Sequence, residues 1–149
     1  MVQRLDHYNR AISEKIHTVF QASYAVEAKL LDAIEFPPLQ RSIDHLVQSQ
    51  TEFYGIGKAD GLSAVIEIKV KVDSVHIQSL VVDPDYFRRG MAKMLVAFVL
   101  QTHTTNSFTV ETGVANLPAI ALYKSFAFVE THQYDTDHGI RKVHFVKMV

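Results

Sequence analysis

The chain has 149 residues, 48% of them hydrophobic and 21% charged, with a formal net charge of −1 and no cysteine. That length suits one domain over residues 1–149; the charge argues against a broad grip on nucleic acid, and the missing cysteine excludes disulfides, thiolate metal sites and a cysteine nucleophile. No apolar run approaches the ~18 residues of a membrane span, and the N-terminal Met-Val-Gln-Arg-Leu-Asp-His-Tyr lacks a signal peptide's apolar stretch, so a cytoplasmic protein without a membrane partner is expected.

In chain order, Ile12, Ile16, Val19, Phe20, Tyr24, Leu30 and Leu31 recur at helical spacing and predict a helix from about Asn9 to Ile34, broken near Ala22 to Val26. Phe36-Pro37-Pro38 ends it, and Pro38 is placed to start a second helix whose buried stripe is Leu39, Ile43, Leu46 and Val47. The period then changes. Glu52 to Ala59 and Leu62 to Val72 read as strands joined by an Asp60-Gly61 hairpin turn, and Val75 to Val82 as the third strand of an antiparallel meander. The helix from Gly90 to about Thr102 carries Met91, Met94, Leu95, Val96, Phe98, Val99 and Leu100, and must be largely buried. Ser107 to Thr112 is a further strand. Asn116 caps a helix with Pro118 in its first turn, running to about Ser125. Phe126 to Gln133 and Ile140 to Met148 are the final strands, around a polar turn from Asp135 to Gly139. The order ααβββαβαββ contains a strand, an apolar helix and a strand across Val75 to Thr112, which implies a parallel pair with a right-handed crossover. The expected class is a mixed α/β (α+β) sheet with helices on both faces.

The segment Val81 to Leu95 concentrates the chemistry. An apolar strand stops at Asp83-Pro84, because Pro84 lacks an N–H and the residue before it avoids the helical region. The chain then passes Arg88, Arg89 and Gly90 and enters a helix directly. Backbone N–H groups converge on a phosphate in such a loop, and Gly90 lets the backbone approach it. A solvated basic pair at a helix start is the alternative reading.

Phe87-Arg88-Arg89-Gly90-Met91-Ala92 resembles the Gln/Arg-x-x-Gly-x-Gly/Ala loop of the GNAT superfamily of acyl-CoA-dependent N-acyltransferases, with Phe87 standing where that family prefers glutamine or arginine. Asn116-Leu117-Pro118-Ala119-Ile120-Ala121-Leu122-Tyr123-Lys124-Ser125-Phe126-Ala127-Phe128 is similar to the family's Asn-x-x-Ala-x-x-Leu-Tyr-x-x-x-Gly-Phe signature, with Ala127 in place of glycine. Both motifs occur in the family's order. The cofactor half looks most similar to bacterial ribosomal-protein N-terminal acetyltransferases.

The resemblance implies a mostly antiparallel sheet with a V-shaped splay between its two parallel strands, and acetyl-CoA as cosubstrate inside it. Backbone groups of Leu80, Val81 and Val82 would pair with the pantetheine arm. The N–H groups of Arg88, Arg89, Gly90, Met91, Ala92 and Lys93 would hold the pyrophosphate, helped by the helix dipole and by charge on Arg88, Arg89 or Lys93. Asn116 would reach the pantetheine arm, cap its helix, or both. Tyr123 matches the tyrosine that protonates the departing thiolate, and an ordinary core tyrosine is the other reading. Glu111, His76 and Glu67 are the candidate bases, alongside an amine that deprotonates in solvent.

The function expected is acetyl transfer to a primary amine, on a small molecule or a peptide N-terminus. A non-catalytic acyl-CoA-binding module and a structural partner pairing its C-terminal strands are the competing readings, so either a monomer or a homodimer is compatible. The residues Tyr8 to Gln50 would wall the acceptor site, where Asp6, Glu14, Glu27, Asp32, Glu35 and Asp44 could attract a cationic amine. His132, His138 and His144 fall around one hairpin but lack a convincing ligand spacing, so no metal is expected.

Overall fold

The computed structural model describes residues 1–149 and contains one seven-stranded sheet. The elements are β1 (Val2–Leu5), α1 (Arg10–Leu30), α2 (Ile43–Gln48), β2 (Glu52–Lys58), β3 (Gly61–Val70), β4 (Ser74–Val82), α3 (Met91–Thr102), β5 (Ser107–Gly113), α4 (Leu117–Ser125), β6 (Val129–Asp135) and β7 (Arg141–Met148). The sheet order is β1-β2-β3-β4-β5-β7-β6, antiparallel throughout except for β4 and β5, which run parallel as the crossover predicts. One core packs α1 and α2 on the first half of the sheet, around Ile16, Phe20, Leu46, Phe53, Val65 and Val81. The other packs α3 and α4 on the opposite face, around Leu95, Val99, Ile66, Ile77, Phe108 and Phe145.

Three local readings are corrected. β1 was not anticipated, because four residues are too few to show a period; it is an edge strand paired from Val2↔Ile56 to Leu5↔Phe53. α1 does not break near Ala22 to Val26 but continues to Leu30, since Phe20 and Tyr24 stay on one buried stripe. Pro37–Gln40 forms a short 3₁₀ turn, and α2 starts later, at the Ser42 cap whose side chain accepts from the His45 N–H.

Pairing between β4 and β5 covers only Ser74↔Ser107 to Ile77↔Val110. Beyond it, β4 follows β3 to Val82 and β5 follows β7 to Gly113, so the two strands part. The β3–β4 register explains the parting. Ile68 opposes Ile77 and Glu67 opposes Ser79, which leaves Gln78 as an extra residue. Such a bulge bends its strand and increases the local twist. Helix α1 then lies across the opening: the Val82 N–H reaches the Ser23 hydroxyl at 3.4 Å, and a Cβ on Gly113 would come within 2.6 Å of Leu31 Cδ2. Ser23, Glu27 and Leu31 are four residues apart, hence on one helical face, and the rise of ~12 Å from first to last far exceeds a strand spacing of about 4.8 Å.

Glu67 pins the bulge. It is fully buried, takes both Arg41 Nη1 at 2.6 Å and Arg41 Nη2 at 2.8 Å, and accepts from Thr51 Oγ1 at 2.7 Å and Ser79 Oγ at 2.8 Å. Burial alone would raise its pKa; the Arg41 hydrogen bonds and charge, with Thr51 and Ser79, outweigh burial and hold it below the ordinary 4.5. The cluster ties the loop before α2 to the centre of the sheet.

Arg41→Ala leaves this carboxylate buried without its cation, and chemical denaturation should show a loss of about 3–5 kcal/mol near neutral pH. Because the folded pKa is depressed, the pair's contribution is complete above the ordinary 4.5 and disappears as pH falls through the lower folded value. The wild type should therefore lose more stability than the variant on acidification. Ala127 sits at φ 67°, in the left-handed region that glycine adopts without a Cβ penalty; Ala127→Gly should raise stability by about 0.5–1 kcal/mol, read as a higher unfolding midpoint.

Candidate active site

The separated ends of β4 and β5 open a cleft of about 1020 Å³, walled by α1, the turn after it, α3 and α4. On one side lies the loop between β4 and α3. Asp83 anchors it: its N–H donates to Ser63 O at 2.7 Å, its Oδ1 accepts from Asp85 N–H at 2.9 Å, and its Oδ2 pairs with Lys58. Lys58 comes first among the causes that keep the Asp83 carboxyl below its usual range. Arg88 at φ 65° and Gly90 at φ 76° then turn the chain through two left-handed residues. As a result, the backbone N–H groups of Arg88 through Lys93 find no acceptor within the chain. Alternating conformations of this kind make an anion-binding concavity, and the α3 dipole adds to it.

The side chains of the loop divide. Arg88, Gly90, Met91, Ala92 and Lys93 line the cleft, as does half-exposed Phe87. Arg89 does not, because its guanidinium stacks over Tyr86 with its carbon 4.8 Å from the ring centroid. On β4, Leu80 and Val82 line the cleft whereas the Val81 side chain is buried against α1. Beyond Ile77, the β5-facing backbone of β4 has no partner strand.

Tyr123, from α4, is 4% exposed and packs edge-on against Phe128 at 5.6 Å, yet it also lines the cleft. Burial first, then nearby Tyr24 and Glu27, push its phenol pKa up, so it is protonated and able to donate at neutral pH. Asn116 caps α4 with Oδ1 on the Ala119 N–H at 3.3 Å, and its Nδ2 donates to Glu27 Oε1 at 3.0 Å. Burial raises the Glu27 pKa, opposed by Lys142 and by this hydrogen bond.

The three candidate bases occupy different settings. Glu111 lines the cleft, just past Val110, the last residue of β5 paired with β4, and accepts from the Tyr134 hydroxyl at 2.6 Å. Burial, then Glu111, push the Tyr134 phenol up to about 12, so it stays a donor. His76 lies outside the cleft lining, with Nδ1 2.7 Å from Thr109 Oγ1. Burial and then Lys71 lower its pKa. Glu67 is enclosed by Arg41, Thr51 and Ser79. Of the six helix-side acids, only Glu27 lines the cleft. His132 and His144 stack at 4.8 Å, with Thr131 Oγ1 at 2.7 Å from His144 Nδ1.

Four residues here escaped the sequence reading. Tyr24 and Arg41 carried only core and surface signals, Tyr134 lay one residue past the expected end of its strand at Gln133, although β6 runs from Val129 to Asp135, and Glu27 counted merely as one acid among several. The visible hint for Glu27 was its place one helical turn beyond Tyr24.

The comparisons with known proteins agree with this geometry. Residues 16–128 match the Acetyltransferase (GNAT) family. The UPF0157 protein YqkA of Bacillus subtilis is 28% identical over 142 residues, covering 94% of this chain and 41% of its own length. The alanine N-acetyltransferase of ribosomal protein bS18 from Salmonella typhimurium is 34% identical over 87 residues, covering 54% of this chain and 59% of its own length. This chain thus spans well under two thirds of the length of either curated relative. The crystal structure of the corresponding Escherichia coli enzyme superposes with a TM-score of 0.77 at 19% identity, covering 100% of this chain and 93% of that one, a likeness of fold. The chain belongs to the acetyltransferase (GNAT) family.

Proposed function

We propose that this chain transfers the acetyl group of acetyl-CoA directly to a primary amine, on a small molecule or a peptide N-terminus, in a ternary complex. The observation that carries the reading is the convergence of three kinds of group on one cleft: the free loop amides, the Tyr123 phenol and the Glu111 carboxylate. The donor set fits an acyl-CoA. Consecutive N–H groups from Arg88 to Lys93, with Arg88 and Lys93 beside them, suit a pyrophosphate, and the open edge of β4 at Leu80 to Val82 suits the amides of a pantetheine arm.

The chemistry requires a neutral amine nitrogen to attack the thioester carbonyl carbon, and the C–S bond then breaks. Glu111 takes the proton that the ammonium must lose, directly or through water. Tyr123 delivers a proton to the departing sulfur; its raised pKa keeps that proton in place until the thiolate forms. Glu111 is preferred as base over His76 because it lines the cleft, and over Glu67 because Arg41 already occupies that carboxylate. Asn116 acts from the rim, where Glu27 fixes its amide.

Two outcomes follow. If backbone geometry carries cofactor binding, Gly90→Ala should weaken acetyl-CoA by about tenfold, because it places a side chain at φ 76° at a cost of about 1–2 kcal/mol. Phe87→Ala should weaken it by less than about threefold, both measured by calorimetric titration. Tyr123→Phe should lower kcat by about 10²-fold with little change in acetyl-CoA affinity. Equal loss of both would remove Tyr123 from the acid role, and acetyl-CoA binding without thiol release for any amine acceptor would favour a binding module.

A further inference from the structure

The floor that flanks Glu111 carries cations without partners. Glu67, Lys69 and Lys71 alternate along one face of β3 and its extension, and Lys69 stands opposite His76 on β4. Lys69, Arg41, His45 and Gln78 line a second cavity of about 340 Å³ that contains no hydrophobic residue. It adjoins the main cleft, because Arg41, His45 and Gln78 line both. On the far side of Glu111, Lys142 projects from β7 opposite Gly113 and also lines the cleft.

The anions do not match them. Arg41 is committed to Glu67, whereas Lys69, Lys71 and Lys142 take part in no ion pair. Asp44, the acid of α2, is paired with Arg10 at 2.5 Å. Asp73, in the turn beyond Lys71, sits 3.5 Å from Asn106 Nδ2. The carboxylates that line the cleft are Glu111 on β5 and Glu27 on α1, each hydrogen-bonded but in no ion pair. Negative charge therefore lies where an ammonium must lose its proton, and positive charge lies on both sides.

From Glu111 on β5 to Lys69 on β3 the sheet crosses two strand spacings, at least about 10 Å. A single small acid does not span that distance, but an extended peptide does. We infer that the acceptor, on the amine-transfer reading above, is the N-terminus of an acidic peptide whose amine meets Glu111 and whose first side-chain carboxylates fall toward Lys69 and Lys71. This departs from the expectation that helix-borne acids draw in a cationic amine.

The test compares thiol release from acetyl-CoA with equal-length peptides beginning Ser-Glu-Glu, Ser-Gly-Gly and Ser-Lys-Lys, and with free glutamate. The acidic peptide should exceed the neutral one by about tenfold in kcat/KM at low salt, and the advantage should shrink as salt rises. The Lys69→Glu, Lys71→Glu double variant should favour the lysine peptide over the acidic one, its thermal stabilisation by acetyl-CoA showing that it is folded. Equal rates, or a lysine preference in the wild type, would overturn the inference. Glutamate acetylated as well as the acidic peptide would overturn the peptide as occupant. If acetyl-CoA binds and none of these amines is acetylated, this inference fails, and thiol release with a small primary amine lacking a carboxylate then shows whether the amine-transfer reading stands without it.

Discussion

Helix α1 bridges a gap that two parallel strands would otherwise close, and the site depends on that bridge. Continuing the β4–β5 ladder past Ile77 and Val110 would satisfy more backbone groups, so something must hold the strands apart. Two features do so. The Gln78 bulge turns β4 away, locked by Glu67 through Ser79. Ser23, Glu27 and Leu31 then meet the end of β4, the cap of α4 and the end of β5 from one helical face. Gly113 is required here, because any side chain would press on Leu31.

Protonation states follow from where each acidic group lies relative to that opening. Glu67 is buried but fully ligated by donors, so its burial strengthens structure rather than offering chemistry. Tyr24 and Tyr123 are buried phenols on opposite walls, and burial raises both, keeping them neutral. Glu111 has one donor and an open side. One carboxylate is thus fastened into the frame while another faces the cleft, although both lie on strands of the same sheet.

The loop before α3 and the start of α4 were legible because their signals are local. Arg88 to Ala92 and Asn116 to Tyr123 are contiguous, and each residue's backbone setting follows from a loop or a helical turn. Ala127 was noticed as a departure, and its left-handed backbone accounts for the glycine usual there. The acceptor half was less legible, since its contacts join residues far apart in the chain: Glu27 to Asn116, Arg41 to Glu67, Tyr134 to Glu111. Alternation in β3 placed Glu67 on a face but could not name its partner, which left it among the bases. His76 shared that face yet ended outside the cleft lining, because the bulge falls between it and Ser79.

The central claim is that backbone donors exposed by the bridged opening, more than side chains, receive the cofactor. Hydrogen exchange resolved by residue, with and without acetyl-CoA, tests it most directly. The account predicts slowed exchange at the amides of Arg88 to Lys93 and at the β5-facing amides between Gln78 and Val82, with β1 and β6 unchanged. Protection absent from both segments, or spread evenly over the sheet, would contradict it.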